Sequence, residues 1–193
     1  MTLPLFLTRP IRTDRLVLRP FEQEDLEALF DLQSRPEVAR YLYWEPRSRA
    51  EAFANLEQKI ACRRITGEGD MLSLAITWPD GGSAIGDLML RYSSAAHGQA
   101  EVGYILHPDF QGRGLATEAV RSVIDLAFDG LHVHRVHAQL DARNSPSARL
   151  LERLGLRREA HLVQNEWVKG EWTDGVIYGV LAEEWAAARL GRY

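Results

Sequence analysis

The chain has 193 residues, 46% hydrophobic and 26% charged, the composition of a soluble globular protein large enough to bury its own core. A net charge of −4 argues against a nucleic-acid partner, and a single cysteine, Cys62, excludes an intrachain disulfide framework and a cysteine metal site. No apolar run approaches the ~20 residues that a membrane span needs, and residues 3–7 are too short for a signal-peptide core, so the expectation is a cytoplasmic protein with no membrane partner.

Residues 15–20 read as a first strand, stopped by Pro20. Leu26, Leu29, Phe30 and Leu32 fall at helical spacing, and Ser34-Arg35-Pro36 ends that helix. Residues 37–42 make a short helical turn. Ser48 with Glu51 three residues on forms a capping box and predicts a helix over 49–64, broken by the glycines of 66–69. Residues 71–78 place Leu72, Leu74, Ile76 and Trp78 on one face of a strand. Asp80-Gly81-Gly82 turns the chain, and 84–92 returns as its hairpin partner. Residues 93–99 are small and polar, a loop, and 101–106 is the next strand.

Ala116, Ala119, Val120, Val123, Ile124, Ala127 and Phe128 then follow a helical stripe without a miss. Gly130 is the expected stop. A strand over 133–140 comes one helix after 101–106, which predicts a parallel crossover. Ser145-Pro146 reads as an N-cap with proline at the first helical position. That helix carries Leu150, Leu151 and Leu154 and ends at Gly155. Residues 158–167 and 172–181 form a second hairpin about Lys169-Gly170, and a short last helix holds Glu184, Trp185 and Leu190. The order predicts an α+β fold: a mixed sheet with a parallel pair at its middle and helices on its faces, in one domain over 1–193.

The stretch 106–120 joins a strand to the most regular helix of the chain through Gly112 and Gly114. Glycines at i and i+2 permit a sharp turn with outward N–H groups, and the helix start adds its own unpaired N–H groups. Such a turn is an anion site or simply a tight turn with a helix start. A Rossmann site would need a third glycine where Thr117 stands, at the first strand–helix turn of the chain, and a P-loop would need Gly-Lys-Ser/Thr; both are excluded. A second polar turn, 141–147, follows the next parallel strand, and two such turns side by side leave a cleft between them. Asn144 there offers a donor and an acceptor to an amide-rich ligand, or is an ordinary turn asparagine. His132 and His134 share a strand face while His137 points the other way, so these three do not converge on a metal. His107, next to the glycine turn, is a base or a loop residue. Cys62 lies among Lys59, Arg63 and Arg64 and, with no recognisable partner, reads as an inert thiol.

Gln111-Gly112-Arg113-Gly114-Leu115-Ala116 resembles the Q/R-x-x-G-x-G/A signature of the GNAT acyltransferase superfamily. Asn144-Ser145-Pro146-Ser147 with Leu151-Glu152-Arg153-Leu154-Gly155 is similar to its N-x-x-S…EKLGF segment, with Leu156 where phenylalanine is commoner. The opening Thr13-Asp14-Arg15-Leu16-Val17-Leu18-Arg19-Pro20 and the tract from Glu166 to Asp174 resemble the subgroup that contains the ribosomal-protein alanine N-acetyltransferases. The resemblance covers nearly the whole chain. It implies a mostly antiparallel central sheet splayed at one parallel pair, with helices on both faces.

It also implies a reaction. Acetyl-CoA would be the donor and a primary amine the acceptor, without a metal. The pantetheine arm would run along Tyr104, Ile105 and Leu106 like an added strand. The pyrophosphate would sit on Gln111, Gly112, Arg113, Gly114, Leu115, Ala116 and Thr117, with Asn144 across the cleft. A backbone N–H near Leu106 would meet the oxyanion. Ser147 stands where the family places a hydroxyl near the sulfur; many members carry a tyrosine in this helix, and 144–156 holds none. Glu166 and Glu101 are the two candidate bases; each is equally a solvated strand carboxylate. Trp44, Trp167 and Trp172 line a substrate pocket or pack at an edge. The acceptor stays open between a protein N-terminus and a small molecule such as an antibiotic, a polyamine or an amino acid. A non-catalytic acyl-CoA-binding module is the alternative of another class. The subgroup implies a homodimer, although no pattern in the chain demonstrates one.

Overall fold

In the computed structural model, which describes residues 4–190, eight strands form one sheet and two more form a small ribbon. The chain opens with β1 (Leu5–Phe6), β2 (Ile11–Arg12) and β3 (Val17–Pro20). A 3-10 turn at Gln23–Asp25 leads into α1 (Leu26–Gln33), followed by the four-residue α2 (Pro36–Ala39) and by α3 (Arg49–Ala61). Ser48 accepts from the Glu51 N–H and Glu51 answers the Ser48 N–H, the capping box that the sequence announces. Then come β4 (Arg64–Ile65), β5 (Met71–Thr77), β6 (Gly86–Ser94), β7 (Gln99–Leu106), α4 (Leu115–Leu131), β8 (Arg135–Asp141), α5 (Ser145–Leu154), β9 (Arg157–Val168), β10 (Glu171–Leu181) and α6 (Ala182–Leu190).

The sheet order is β2-β3-β5-β6-β7-β8-β10-β9. Every neighbour is antiparallel except β7 and β8, which α4 connects as a parallel pair. Their ladder is short. Gln99, Ala100 and Glu101 pair with Arg135, Val136 and His137, and the strands then part. On its other side β7 stays paired with β6 as far as Leu106.

Helices cover both faces. The stripe of α4, from Ala119 through Phe128, is buried with Leu150, Leu151 and Leu154 of α5 against one face. On the other face Leu29 of α1 and Leu56 of α3 close over Ala75 and Phe21. Ser73, Ala75 and Thr77 are therefore buried as well as Leu72, Leu74 and Ile76. The single buried face expected for this strand is corrected by the helices above it. Past β6 that second face carries Glu101, His137 and Gln139, whose neighbours Ala100, Val136 and Ala138 point into the α4 side, and Tyr43 lies near Glu101 and Gln139 there.

Three expected helix ends move. The third helix stops at Ala61, short of 64, because Arg64–Ile65 leaves it to pair with Leu5–Phe6, burying Ile65 completely. The fourth runs through Gly130 to Leu131, and His132 closes it in the left-handed conformation (φ 51°). Gly130 is there for packing: a Cβ would lie 3.2 Å from Leu5 Cδ1 and Leu126 Cδ1. The fifth is capped by Asn144, whose side chain accepts from the Ser147 N–H at 3.2 Å, so Ser145 and Pro146 are already helical. Two-residue strands such as β1, β2 and β4 carry too few residues to show a period. None of the helices among the described residues is long and apolar enough to cross a membrane.

Candidate active site

Where β8 departs, the carboxyl end of β7 opens into a cavity of about 420 Å³. Its floor is Tyr104, Ile105 and Leu106. One wall is the turn at Gln111, Gly112 and Gly114 with the first residues of α4, Leu115, Ala116 and Thr117; the opposite wall is Asn144 and Ser147 of the α5 start.

The turn is built for a backbone that few residues tolerate. Gly112 and Gly114 both have φ 76°, in the left-handed region. Gly114 is the N-cap of α4 and, among the described residues, no side chain caps that end. The first bond of this start is the Glu118 N–H to the Gly114 carbonyl at 3.1 Å. The N–H groups of Leu115, Ala116 and Thr117 therefore precede the helical ladder, and the residues that carry them line the cavity. Gln111 turns inward, donating from Nε2 to the Leu106 carbonyl at 3.0 Å and closing the turn onto the strand it left. Arg113 does not line the cavity. Its guanidinium lies 5.9 Å from the centre of the Phe110 ring.

Across the cavity Asn144, a lining residue, spends its carbonyl oxygen on the helix cap. The Ser147 hydroxyl, partly exposed, has no bonding partner among the described residues. The Tyr104 phenol donates to the Ser147 carbonyl at 3.2 Å and bridges the gap between β7 and α5. Burial pushes its pKa up to about 12, so it stays a neutral donor.

The carboxylates nominated by the sequence lie on the other sheet face and do not line this cavity. Glu101 forms an ion pair with Arg91 of β6. Glu166 accepts from Gln139 Nε2 at 3.3 Å, and its neighbour is Tyr43, whose hydroxyl pKa is driven up first by desolvation and then by that carboxylate. Glu166 thus faces a hydroxyl and an amide and has no ion pair among the described residues.

Other candidates sort themselves by their partners. His107 is buried and bonded at both ring nitrogens, Nε2 to Asp31 at 2.9 Å and Nδ1 from the Asp109 N–H at 3.2 Å; it ties α1 to the turn. Burial raises the Cys62 thiol pKa, which suppresses the reactive thiolate. Trp167 and Trp172 form an exposed edge-to-face pair, ring centres 5.4 Å apart, outside the cavity lining. Trp44 lies under the Arg47 guanidinium, 4.8 Å from its ring centre. Among the described residues no group of three or more His, Cys, Asp or Glu is placed to hold a metal.

The walls also contain residues that sequence reading passed over. Pro146, Arg149, Leu150 and Arg153 line the cavity from α5. Their i, i+3, i+4, i+7 spacing is a legible helix face. Glu37, Val38, Tyr41 and Leu42, on and after α2, close the mouth; nothing local marks them. They are held in place by Lys169 at the far hairpin, whose Nζ donates to the Ala39 carbonyl at 2.6 Å.

Known proteins with this chain's features can be set beside that geometry. A family model described as an acetyltransferase (GNAT) domain matches residues 15–157. An uncharacterized N-acetyltransferase of Bacillus licheniformis, p20, is 32% identical over 90% of this chain and 97% of its own. A Bacillus subtilis (strain 168) protein, YdaF, whose name marks it provisionally as a ribosomal N-acetyltransferase, is 28% identical over 89% of this chain and 94% of its own. The crystal structure of spermidine N-acetyltransferase from Vibrio cholerae, in complex with CoA and spermine, superposes with a TM-score of 0.76 at 22% identity, over 90% of this chain and 99% of that one.

Proposed function

Because this chain belongs to the GNAT family and is an N-acetyltransferase, we propose that it moves the acetyl group of acetyl-CoA to a primary amine by direct attack of the amine on the thioester. One observation carries the reading: an uncapped helix start and two left-handed glycines adjoin the length of β7 that β8 has left. The pyrophosphate then rests on N–H groups between Gly112 and Thr117, with Gln111 and Arg113 fixing the turn. The pantetheine amides run beside Tyr104, Ile105 and Leu106 and meet the Asn144 amide. The whole chain, 1–193, is taken as one such domain.

In this mechanism the amine nitrogen bonds to the thioester carbon while its proton passes to a base. A β7 N–H near Leu106 holds the oxyanion. The C–S bond then breaks, and the thiolate is protonated from water through the Ser147 hydroxyl, which gives up one proton, takes another and ends the step neutral. Holding amine and thioester together supplies much of the rate. Glu166 is the better of the two bases, since Arg91 neutralises Glu101. It reaches the amine directly or through water, and an α-amine, with a reference pKa of about 8, asks little of it.

The acceptor we favour is the α-amine at a protein N-terminus. A polyamine is the second reading, favoured by the spermine in the Vibrio cholerae neighbour. Thiol release from acetyl-, propionyl- and succinyl-CoA, measured against peptides and small amines, tests both. Turnover with acetyl-CoA and one amine class is the expected result. Absence of coenzyme binding by calorimetry would defeat the proposal.

A further inference from the structure

The opening motif Thr13-Asp14-Arg15 has no part in the chemistry above, yet it lies against the glycine turn. Glu118 stands one turn into α4 with its side chain only 16% exposed. Its Oε1 accepts from Thr13 Oγ1 at 2.5 Å and from the Arg15 N–H at 2.8 Å. Its Oε2 accepts from Arg15 Nε at 2.7 Å, with Nη2 also at 2.7 Å. The last guanidinium nitrogen, Nη1, donates to the carbonyl of Arg113 at 3.0 Å.

Arg113 sits between the two left-handed glycines. In a trans peptide the carbonyl of one residue and the N–H of the next point in opposite directions. Holding the Arg113 carbonyl against Arg15 therefore turns the Gly114 N–H away from Arg15. The same pair resolves an electrostatic conflict. A carboxylate in the first turn suits the helix dipole but repels an anion bound at that helix start. The Arg15 guanidinium, with Nε and Nη2 both on Oε2 of Glu118, cancels that charge. Burial alone would raise the Glu118 pKa, but the bonds from Thr13 and Arg15 hold it below the ordinary range, so the carboxylate stays ionised and needs its partner.

We infer that Arg15, set by Thr13 and Glu118, is a positioning residue of the phosphate turn: it aims the Gly114 N–H and neutralises Glu118 so that a diphosphate can dock. The inference rests on the coenzyme A reading of that turn. The Arg15 side chain is 49% exposed, so its removal leaves the core intact.

The test compares two donors in steady-state kinetics, acetyl-CoA and S-acetylpantetheine, which lacks the phosphates. The ratio of their kcat/KM values measures what the phosphates and adenosine contribute together, and its change in a variant at the turn reports the turn's share. In Arg15→Ala the ratio is expected to fall about tenfold, the worth of a charged hydrogen bond. Adding Glu118→Gln to Arg15→Ala is expected to restore part of it, because the uncompensated charge is gone. A general packing defect lowers both donors alike and leaves the ratio at its wild-type value; that result, or strictly additive losses in the double variant, overturns the inference. A wild-type ratio near one removes the coenzyme reading itself, and the inference with it.

Discussion

Ser147 and Glu166 divide the proposed proton traffic, and each invites a different measurement. Ser147→Ala is expected to lower kcat by about a hundredfold, the lower range for a lost general acid, with the Kd for acetyl-CoA little changed. An equal rise in Kd would make the serine a binding residue. Glu166→Gln is expected to cost most near pH 7 and progressively less toward pH 9. The sign follows from the substrate: as pH rises through an α-amine pKa of about 8, more amine arrives already deprotonated and the base matters less. A loss independent of pH would return Glu166 to a structural role. Tyr104 adds no limb to this profile below about pH 12. At this scale the sequence was informative about Ser147, whose place after Asn144 is local. It nominated Glu101 as a base without its ion pair, because only the β6–β7 register brings Arg91 opposite and neutralises it.

The elements hold the site by close approach. At Gly86 the strands β6 and β7 press together: a Cβ there would lie 2.6 Å from the Ile105 carbonyl oxygen and 2.9 Å from Ile76 Cδ1. Gly86→Ala must push β7 outward just where it meets the cavity. The expected cost is about 1–3 kcal/mol in denaturant unfolding, as for other overpacked sites, with a raised KM for acetyl-CoA; an unaltered KM would separate β7 placement from coenzyme binding. The far hairpin acts on α2 through Lys169, which itself has φ 53° beside Gly170 at 83°. Asparagine tolerates that conformation better, so Lys169→Asn removes the tether while sparing the turn. Its expected effect is a KM for the amine raised several-fold more than that for acetyl-CoA. Equal effects would show that α2 does not gate the acceptor. The hairpin was legible from Lys169-Gly170, and its grip on α2, 130 residues away, was not.

For the molecule as a whole, the coenzyme should couple to stability. A ligand at a hundredfold its Kd stabilises the native state by about 2.7 kcal/mol, which raises the Tm of a chain this size by roughly 5–10 °C. Thermal unfolding with CoA checks this, and S-acetylpantetheine at the same concentration should do less. A single transition is expected for one domain; two separate transitions would divide the chain.

What the amino-acid sequence determined by itself is the part written in short-range order. The unbroken stripe of α4, the capping box before α3, the two hairpins and the glycine pair at the start of α4 all depend on residues within a few positions of one another, where periodicity and dihedral preference act directly. The sheet's one parallel junction followed from a helix between two strands. The tertiary structure alone decided how the cleft is completed and what surrounds it. It brought α2 to the mouth, put Glu101 and Glu166 on the far sheet face, buried β5 on both sides and set Arg15 against Glu118 across 103 residues. These outcomes depend on strand register and on packing between distant segments, and no local pattern encodes either.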